Sequence, residues 1–239
     1  MSERMNRRKK ERRNEIMDIA EKMIAKKGVQ GMTMKEVAEE ADVAIGTLYV
    51  YFKNKNSLCA AVNARIIKQM RIIMKEKSAS CSNACKKIRA TIAAVFEFRE
   101  KYLDKWGAFK ELLLVQYDTG NINNNYSNNR LNPDIYDFQD ISDENIRDLL
   151  IEDKKMSQLM SDIYRQGIQE SCIRSELDLL PTIIFMRMAL FTALEPLPYV
   201  QRMLETENID SGHFLEVVMD LMRYAVRNPS SEKKITLND

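Results

Sequence analysis

The sequence predicts an all-α protein, on three observations. Apolar residues recur at helical rather than strand spacing along most of the chain. The 239 residues include only 7 Gly and 5 Pro, too few for the tight turns of a β-sandwich, and every proline lies after residue 132. The one β-prone run, Thr47-Leu48-Tyr49-Val50-Tyr51-Phe52, has no partner strand nearby and helix signals on both sides.

The elements follow in order. Ile16, Ile19, Ala20, Met23 and Ile24 line one face of an amphipathic helix over 14–27, with Gly28 as its stop. Seven basic residues precede or open it: Arg4, Arg7, Arg8, Lys9, Lys10, Arg12 and Arg13. Thr33 and Glu36 form a capping box, in which the hydroxyl accepts from the Glu36 N–H and the carboxylate reaches back to the Thr33 N–H. It opens a short helix through Ala41. A break at Asp42-Val43 precedes a second short helix over 44–50.

Lys53-Asn54-Lys55-Asn56 interrupts the pattern, and a long helix follows over 57–77. Further helices are expected near 83–103, 105–117, 142–171, 179–195 and 211–227. The Asn-rich stretch 121–133 reads as an exposed loop. The expected domains are 1–56, with a basic N-terminal arm, and 57–230, followed by a disordered tail at 231–239.

A hydrophobic fraction of 45% excludes a wholly disordered chain. The net charge of +2 conceals an asymmetry. Residues 1–77 hold 18 Lys/Arg against 10 Asp/Glu, while the remainder holds 19 against 25. A basic front and an acidic rear suit a polyanionic partner for the front.

The 14–27 segment is interrupted by Glu15, Asp18, Glu21 and Lys22, so it lacks the apolar core of a secretory signal. The most apolar stretch, 179–194, is short and broken by Pro181 and Arg187. A cytoplasmic protein with no membrane partner is expected, its Cys59, Cys81, Cys85 and Cys172 reduced. With one histidine, His213, and no nucleophile elbow, phosphate-cradling loop or zinc-protease motif, the chain is expected not to be an enzyme. No cofactor or metal is expected.

Two short helices joined by a three-residue turn are what DNA-reading helix-turn-helix units use. Val37, Ala41, Val43, Leu48 and Tyr51 fall where the two helices bury side chains against each other, and Ala38 is small where they approach most closely. Asp42 stands where the chain must turn with positive φ, which Asp tolerates better than most residues. Helix packing calls for apolar bulk at Leu48, Tyr49 and Phe52.

The run Gly46-Thr47-Leu48-Tyr49-Val50-Tyr51-Phe52-Lys53-Asn54-Lys55, with Thr33, Val37-Ala38 and Ala41-Asp42-Val43-Ala44-Ile45 before it, resembles the DNA-binding domain of the TetR/AcrR family of transcription regulators. The likeness covers about a fifth of the chain. Two positions depart from the family pattern. Asp42 replaces the usual turn glycine, and Ala44 replaces the Ser or Thr that caps the recognition helix.

The resemblance implies that helix 44–50 enters the major groove, with Ile45, Gly46 and Thr47 at the base edges. Ala44 and Tyr49 are counted with this DNA-facing set. Thr33, Lys35, Tyr51 and Lys55 are the implied phosphate clamps. The arm, through Arg7, Arg8 and Arg12 and on to Arg13, is expected to add phosphate or minor-groove contacts.

A lone helix-turn-helix binds weakly, so a homodimer reading a palindromic operator is expected. Helix 179–194 is apolar on almost every side, which implies burial all round, and 211–227 carries a broad apolar stripe. The resemblance places a four-helix, two-fold interface on these two helices, with Ile184, Arg187, Phe191, Phe214, Val218, Leu221 and Met222 as candidate contacts.

It also implies a cavity in the middle helices for a small-molecule effector. Candidate lining residues are Met70, Phe96, Tyr102, Trp106, Phe109, Leu113 and Tyr117, then Met160, Tyr164, Phe185 and Met188. Glu97 and Glu111 either meet a cationic ligand or face water. The expected function is a ligand-responsive transcriptional regulator, read as a repressor that a small apolar or amphipathic effector releases from its operator. A rear domain that recruits a protein partner, or that senses redox state through Cys81, Cys85 or Cys172, stands as the alternative.

Overall fold

The computed structural model describes residues 3–117 and 141–229; the expected loop at 121–133 and tail at 231–239 lie outside them. The described residues hold ten helices: α1 Glu3–Gly31, α2 Met34–Glu40, α3 Ile45–Tyr51, α4 Lys55–Ala79, α5 Ala84–Lys101, α6 Leu103–Leu112, α7 Glu144–Gln169, α8 Leu179–Leu194, α9 Pro198–Thr206 and α10 Ser211–Val226. They contain no strand, only an isolated bridge between Ile173 and Arg227. No single helix among them is long and apolar enough to cross a membrane.

Two boundaries and one element depart most from what the sequence suggests. Helix α1 starts at Glu3, so the basic stretch is helical rather than a separate arm. Its Arg, Lys and Glu residues are strong helix formers, and Arg7–Glu11 and Arg12–Glu15 pair along it at 3.6 and 3.1 Å. Helix α6 stops at Leu112, leaving Leu113 exposed beyond its end. Helix α9 was not expected. Pro198 occupies its first turn, where a missing N–H costs nothing.

The chain forms two compact units, residues 1–79 with 90–156, and residues 80–89 with 157–239. The border expected at 56/57 falls inside the first. There α1 buries Ile16, Met17, Ala20 and Ile24 and packs on α6 and α4. Gly107 of α6 lies against Ala25, and a Cβ there would come within 3.3 Å of the Ala25 Cβ. The buried Glu21 accepts from Arg65 of α4 and Lys105 of α6, both at 2.8 Å, while Arg65 also holds Asp18 at 2.7 Å. A buried carboxylate so enclosed is tolerable only because both its oxygens are matched by cations.

The second unit is built on Tyr164, Ile173 and Ile183, packed by Ile88, Met160, Leu179 and Val226. Gly167 of α7 admits the Ile173 side chain, which would lie 2.5 Å from any Cβ placed there. Helix α8 is not buried all round within this single chain. Ile183, Met186, Leu190, Ala193 and Leu194 face inward, whereas Ile184, Phe185 and Met188 are exposed. Helix α10 packs on α8 and has no fully buried residue of its own.

Candidate nucleic-acid interface

The capping box sets the start of α2. Thr33 Oγ1 accepts from the Glu36 N–H at 3.2 Å, and Glu36 Oε2 accepts from the Thr33 N–H at 2.9 Å. Lys27 Nζ donates to the other Glu36 oxygen at 2.7 Å. That bond, then those from Thr33, hold the Glu36 carboxyl down to about 2. The turn after α2 places Asp42 at φ 50°, and the Val43 N–H reaches back to the Ala38 carbonyl at 3.0 Å. Ala44 stands at the cap of α3 with no side-chain bond, so this helix starts uncapped.

Val37, Ala38, Ala41, Leu48 and Phe52 are buried at the α2–α3 junction, and Val43 and Tyr51 are half-buried there. Tyr49 corrects the packing expectation, for it is 49% exposed. Leu48 and Phe52, four apart, already define the inward stripe, and Tyr49 lies about 100° round the helix from it. It therefore joins Ile45, Gly46, Thr47 and Val50 on the outward face of α3. Nothing lies within 4 Å of where a Gly46 Cβ would sit, so this stretch of backbone is open to close approach.

An open groove of about 700 Å³ runs beside α3. Met5, Arg8, Lys9 and Arg12 of α1 form one wall, and Ala44, Thr47, Val50 and Tyr51 form the other. Cationic side chains are thus set alongside the candidate base-reading residues by helical spacing. Arg7 points into its pair with Glu11, and Arg12 also donates to the Ala41 carbonyl at 3.3 Å. Among the expected clamps, Lys35 is exposed and lies 3.7 Å from Glu39. Lys55 is half-buried, with its ammonium 3.5 Å from the Gln30 carbonyl. Asn54 Oδ1 accepts from the Ser57 N–H at 2.8 Å and caps α4.

Arg13 is not part of this surface. Half-buried, it donates to Asn145 Oδ1 and lies over the Phe52 ring. Asn145 Nδ2 donates to Ser57 Oγ at 2.9 Å, and Ser57 Oγ donates to Asp143 at 3.1 Å. This buried polar chain joins α1, the end of α3, the start of α4 and the cap of α7. Its only visible sequence signal is the helical phase that turns Arg13 away from Arg8 and Arg12.

The candidate effector residues fall in both units. In the first unit Met70, Trp106 and Phe109 are buried, with the two rings 5.9 Å apart. Phe96 and Tyr102 are half-buried, and Tyr102 packs against Phe98 at 5.1 Å. The Tyr117 hydroxyl accepts from Asn63 Nδ2 at 3.3 Å, and burial pushes its phenol up. In the second unit Met160 is half-buried, and burial pushes Tyr164 up to about 12.

Phe185 and Met188 are exposed on α8. They share the exposed faces of α8 and α10 with Ile184 and Leu221, while Arg187, Phe191, Phe214, Val218 and Met222 are half-buried. Glu97 pairs with Lys77, and Glu111 packs against Gly28, so neither is simply presented to a ligand. Among the described residues no cluster of three or more His, Cys, Asp or Glu side chains is placed to hold a metal ion.

Residues 16–62 match the family described as bacterial regulatory proteins, tetR family. Over 56 residues the chain is 46% identical to the HTH-type transcriptional repressor KstR of Rhodococcus jostii, a stretch covering 23% of this chain and 26% of that one. The match thus spans about a quarter of the curated relative. Among solved structures, the fatty acid degradation regulator FadR of Bacillus halodurans aligns with a TM-score of 0.60 at 17% identity, covering 89% of this chain and 94% of that one. The ketosteroid transcriptional regulator KstR2 of Mycobacterium tuberculosis aligns at 0.54 and 16%, covering 90% and 95%. At such identities the likeness speaks to the fold, and it extends well beyond the first 62 residues.

Proposed function

From the match of residues 16–62 to the tetR family of bacterial regulatory proteins, we propose that this chain is a transcriptional repressor that binds a palindromic operator as a homodimer. The observation that carries the reading is the outward face of α3. Ile45, Gly46, Thr47 and Tyr49 stand exposed there beside the Arg8–Lys9–Arg12 wall of α1. Thr47 and Ile45 read base edges by hydrogen bond and thymine-methyl contact, and Gly46 lets the backbone come close. Arg8, Lys9, Arg12, Lys35 and Lys55 neutralise phosphates and fix the register without reading sequence.

The second copy docks through the exposed apolar faces of α8 and α10, giving a two-fold interface. A small apolar or amphipathic effector in the body releases the operator. The related folds of a fatty acid degradation regulator and a ketosteroid regulator support that class of ligand. Helix α4 carries the signal. Its start, capped by Asn54 just after α3, is tied to the cap of α7 by the Ser57–Asp143 bond at 3.1 Å, and further along it Arg71 holds Glu152 of α7 at 2.7 Å. Half-sites lie about 34–36 Å apart, so a shift of a few ångström at the recognition helices abolishes simultaneous docking.

The test is selection of duplexes from a random pool by the full chain, repeated with a long-chain fatty acid and with a steroid ketone. A palindrome should enrich, and Thr47→Ala should change the preferred bases. Enrichment of no palindrome would overturn the operator reading, and undiminished binding with both probes would overturn the effector class.

A further inference from the structure

We propose that Cys85 and Cys172 are a peroxide-responsive dithiol that closes to a disulfide, a modification site that does not depend on the DNA-binding reading. The juxtaposition is built into the second unit. The first turn of α5 sits on the last turns of α7: the Ala84 N–H donates to Glu170 Oε2 at 2.8 Å, and Lys87 Nζ donates to Gln166 Oε1 at 2.8 Å. Ala84 also packs at Gly167, its Cβ 3.3 Å from where a glycine Cβ would lie. Beyond α7 the chain reverses at Ser171, whose φ is 57°, and the Cys172 and Ile173 N–H groups both donate to the Gly167 carbonyl at 3.0 Å. The reversal carries Cys172 back to α5, where its thiol lies within hydrogen-bonding reach of the Cys85 sulfur.

The two thiols are not equivalent. Cys85 is exposed, whereas Cys172 is half-buried against the cluster of Tyr164, Ile173 and Ile183. Burial, then the neighbouring Cys85 sulfur, push the Cys172 thiol up to about 12, so Cys172 keeps its proton at neutral pH. That asymmetry assigns Cys85 as the sulfur that meets the oxidant and Cys172 as the one that resolves it.

The Cys85 sulfur attacks one peroxide oxygen; the S–O bond forms, the O–O bond breaks, and the thiol proton leaves with the departing oxygen as water. The Cys172 sulfur then attacks Cys85; the S–S bond forms, the S–O bond breaks, and the Cys172 proton leaves with the hydroxyl as a second water. The cysteines lose two electrons and two protons together, and the peroxide is reduced to water. The bond would fasten a corner that already holds the end of α10, for the Cys172 carbonyl accepts from the Asn228 N–H at 3.1 Å and the Arg174 N–H donates to the Val226 carbonyl at 3.0 Å.

The experiment is peroxide treatment of the full chain, followed by non-reducing peptide mapping. The expected product links the Cys85 and Cys172 peptides, is lost on adding dithiothreitol, and raises Tm by several degrees relative to the reduced protein. In Cys172→Ala, a 1,3-dione should trap sulfenic acid at Cys85, and in Cys85→Ser, Cys172 should stay reduced. A link between Cys81 and either partner, oxidation of Cys172 in Cys85→Ser, or no link in the wild-type chain would overturn the proposal. The wild-type map decides the pairing even where a variant folds poorly.

Discussion

The guanidinium of Arg13 lies over the ring of Phe52, 5.3 Å from its centroid, while its terminal nitrogen donates to Asn145. One side chain of α1 thereby clamps the residue that ends α3 and the first turn of α7. Asn145, Ser57 and Asp143 complete the chain, and all three are buried. A buried network of this kind is stable only while every member is paired. Arg13→Ala is therefore expected to lower stability by about 2 kcal/mol, through the lost charged hydrogen bond and the lost ring contact. A double-mutant cycle with Asn145→Ala, read by urea denaturation, should return a coupling of about 1 kcal/mol. Additive losses would show that the two residues act separately.

Because Arg13 faces inward, it should not count among the phosphate contacts. Lys55→Ala and Arg8→Ala should each weaken DNA binding across sequences and reduce the slope of log K against log salt by about one. Arg13→Ala, assayed well below its melting temperature, should leave that slope unchanged. An Arg13→Ala slope that falls as far as the Arg8→Ala slope would put Arg13 on the DNA.

Gly28 breaks α1 with φ 74° and ψ 167°, a region that is essentially closed to side chains. A Cβ there would also come within 2.9 Å of Glu111 Oε2. Gly28→Ala is expected to cost about 1–3 kcal/mol, and adding Glu111→Ala should recover only the part due to contact. Gly31→Ala should cost less, because its φ is not positive and its Cβ would press only on Lys27, at 3.2 Å from the Lys27 Cβ; Gly46→Ala, with nothing within 4 Å, should change Tm little.

Much of this was legible in the residues because it is local. The Thr33–Glu36 box and the positive φ at Asp42 each depend on a few neighbouring side chains, and each is observed, while Gly28 breaks α1 before it runs on to Gly31. Tyr49 was misplaced because aromatic bulk alone does not say which side of a seven-residue helix it occupies; the phase set by Leu48 and Phe52 does. The α1 extension was missed because a basic run reads as a solvated arm until its Glu11 and Glu15 partners are set at helical spacing. The inward turn of Arg13 and the Cys85–Cys172 contact join residues far apart in the chain, and no local pattern announces such pairs.

The Glu36 carboxyl gives the domain a defined acid sensitivity. Its folded value of about 2 lies below the ordinary 4.5, so its contribution to stability is complete above 4.5 and is lost as the pH falls through 2. The carboxyl is exposed, so the effect on the whole molecule is modest. Glu36→Gln removes the charge in both states. The Tm gap between wild type and Glu36→Gln should be largest near neutrality and narrow as the pH drops from 4.5 toward 2. A gap that widens on acidification would reverse the assigned sign.

The exposed faces of α8 and α10 supply the last prediction. Phe185 and Met188 are 60% and 64% exposed, and Leu221 is 63% exposed, so an apolar surface is presented by residues that the single chain does not need for its core. Ile184 and Met188 on α8, and Val217, Leu221 and Tyr224 on α10, recur at three- and four-residue spacing, the pattern of a helix seam. Leu221→Glu should therefore leave the chain folded, with its far-ultraviolet circular dichroism unchanged, yet weaken self-association at least about a hundredfold by desolvating a charge in the seam. Sedimentation should then report a monomer at concentrations where the parent is a dimer. Affinity for a palindrome should fall toward that for one half-site, because the second recognition helix is no longer held in place. A Leu221→Glu protein that sediments as the parent does would remove α10 from the dimer interface.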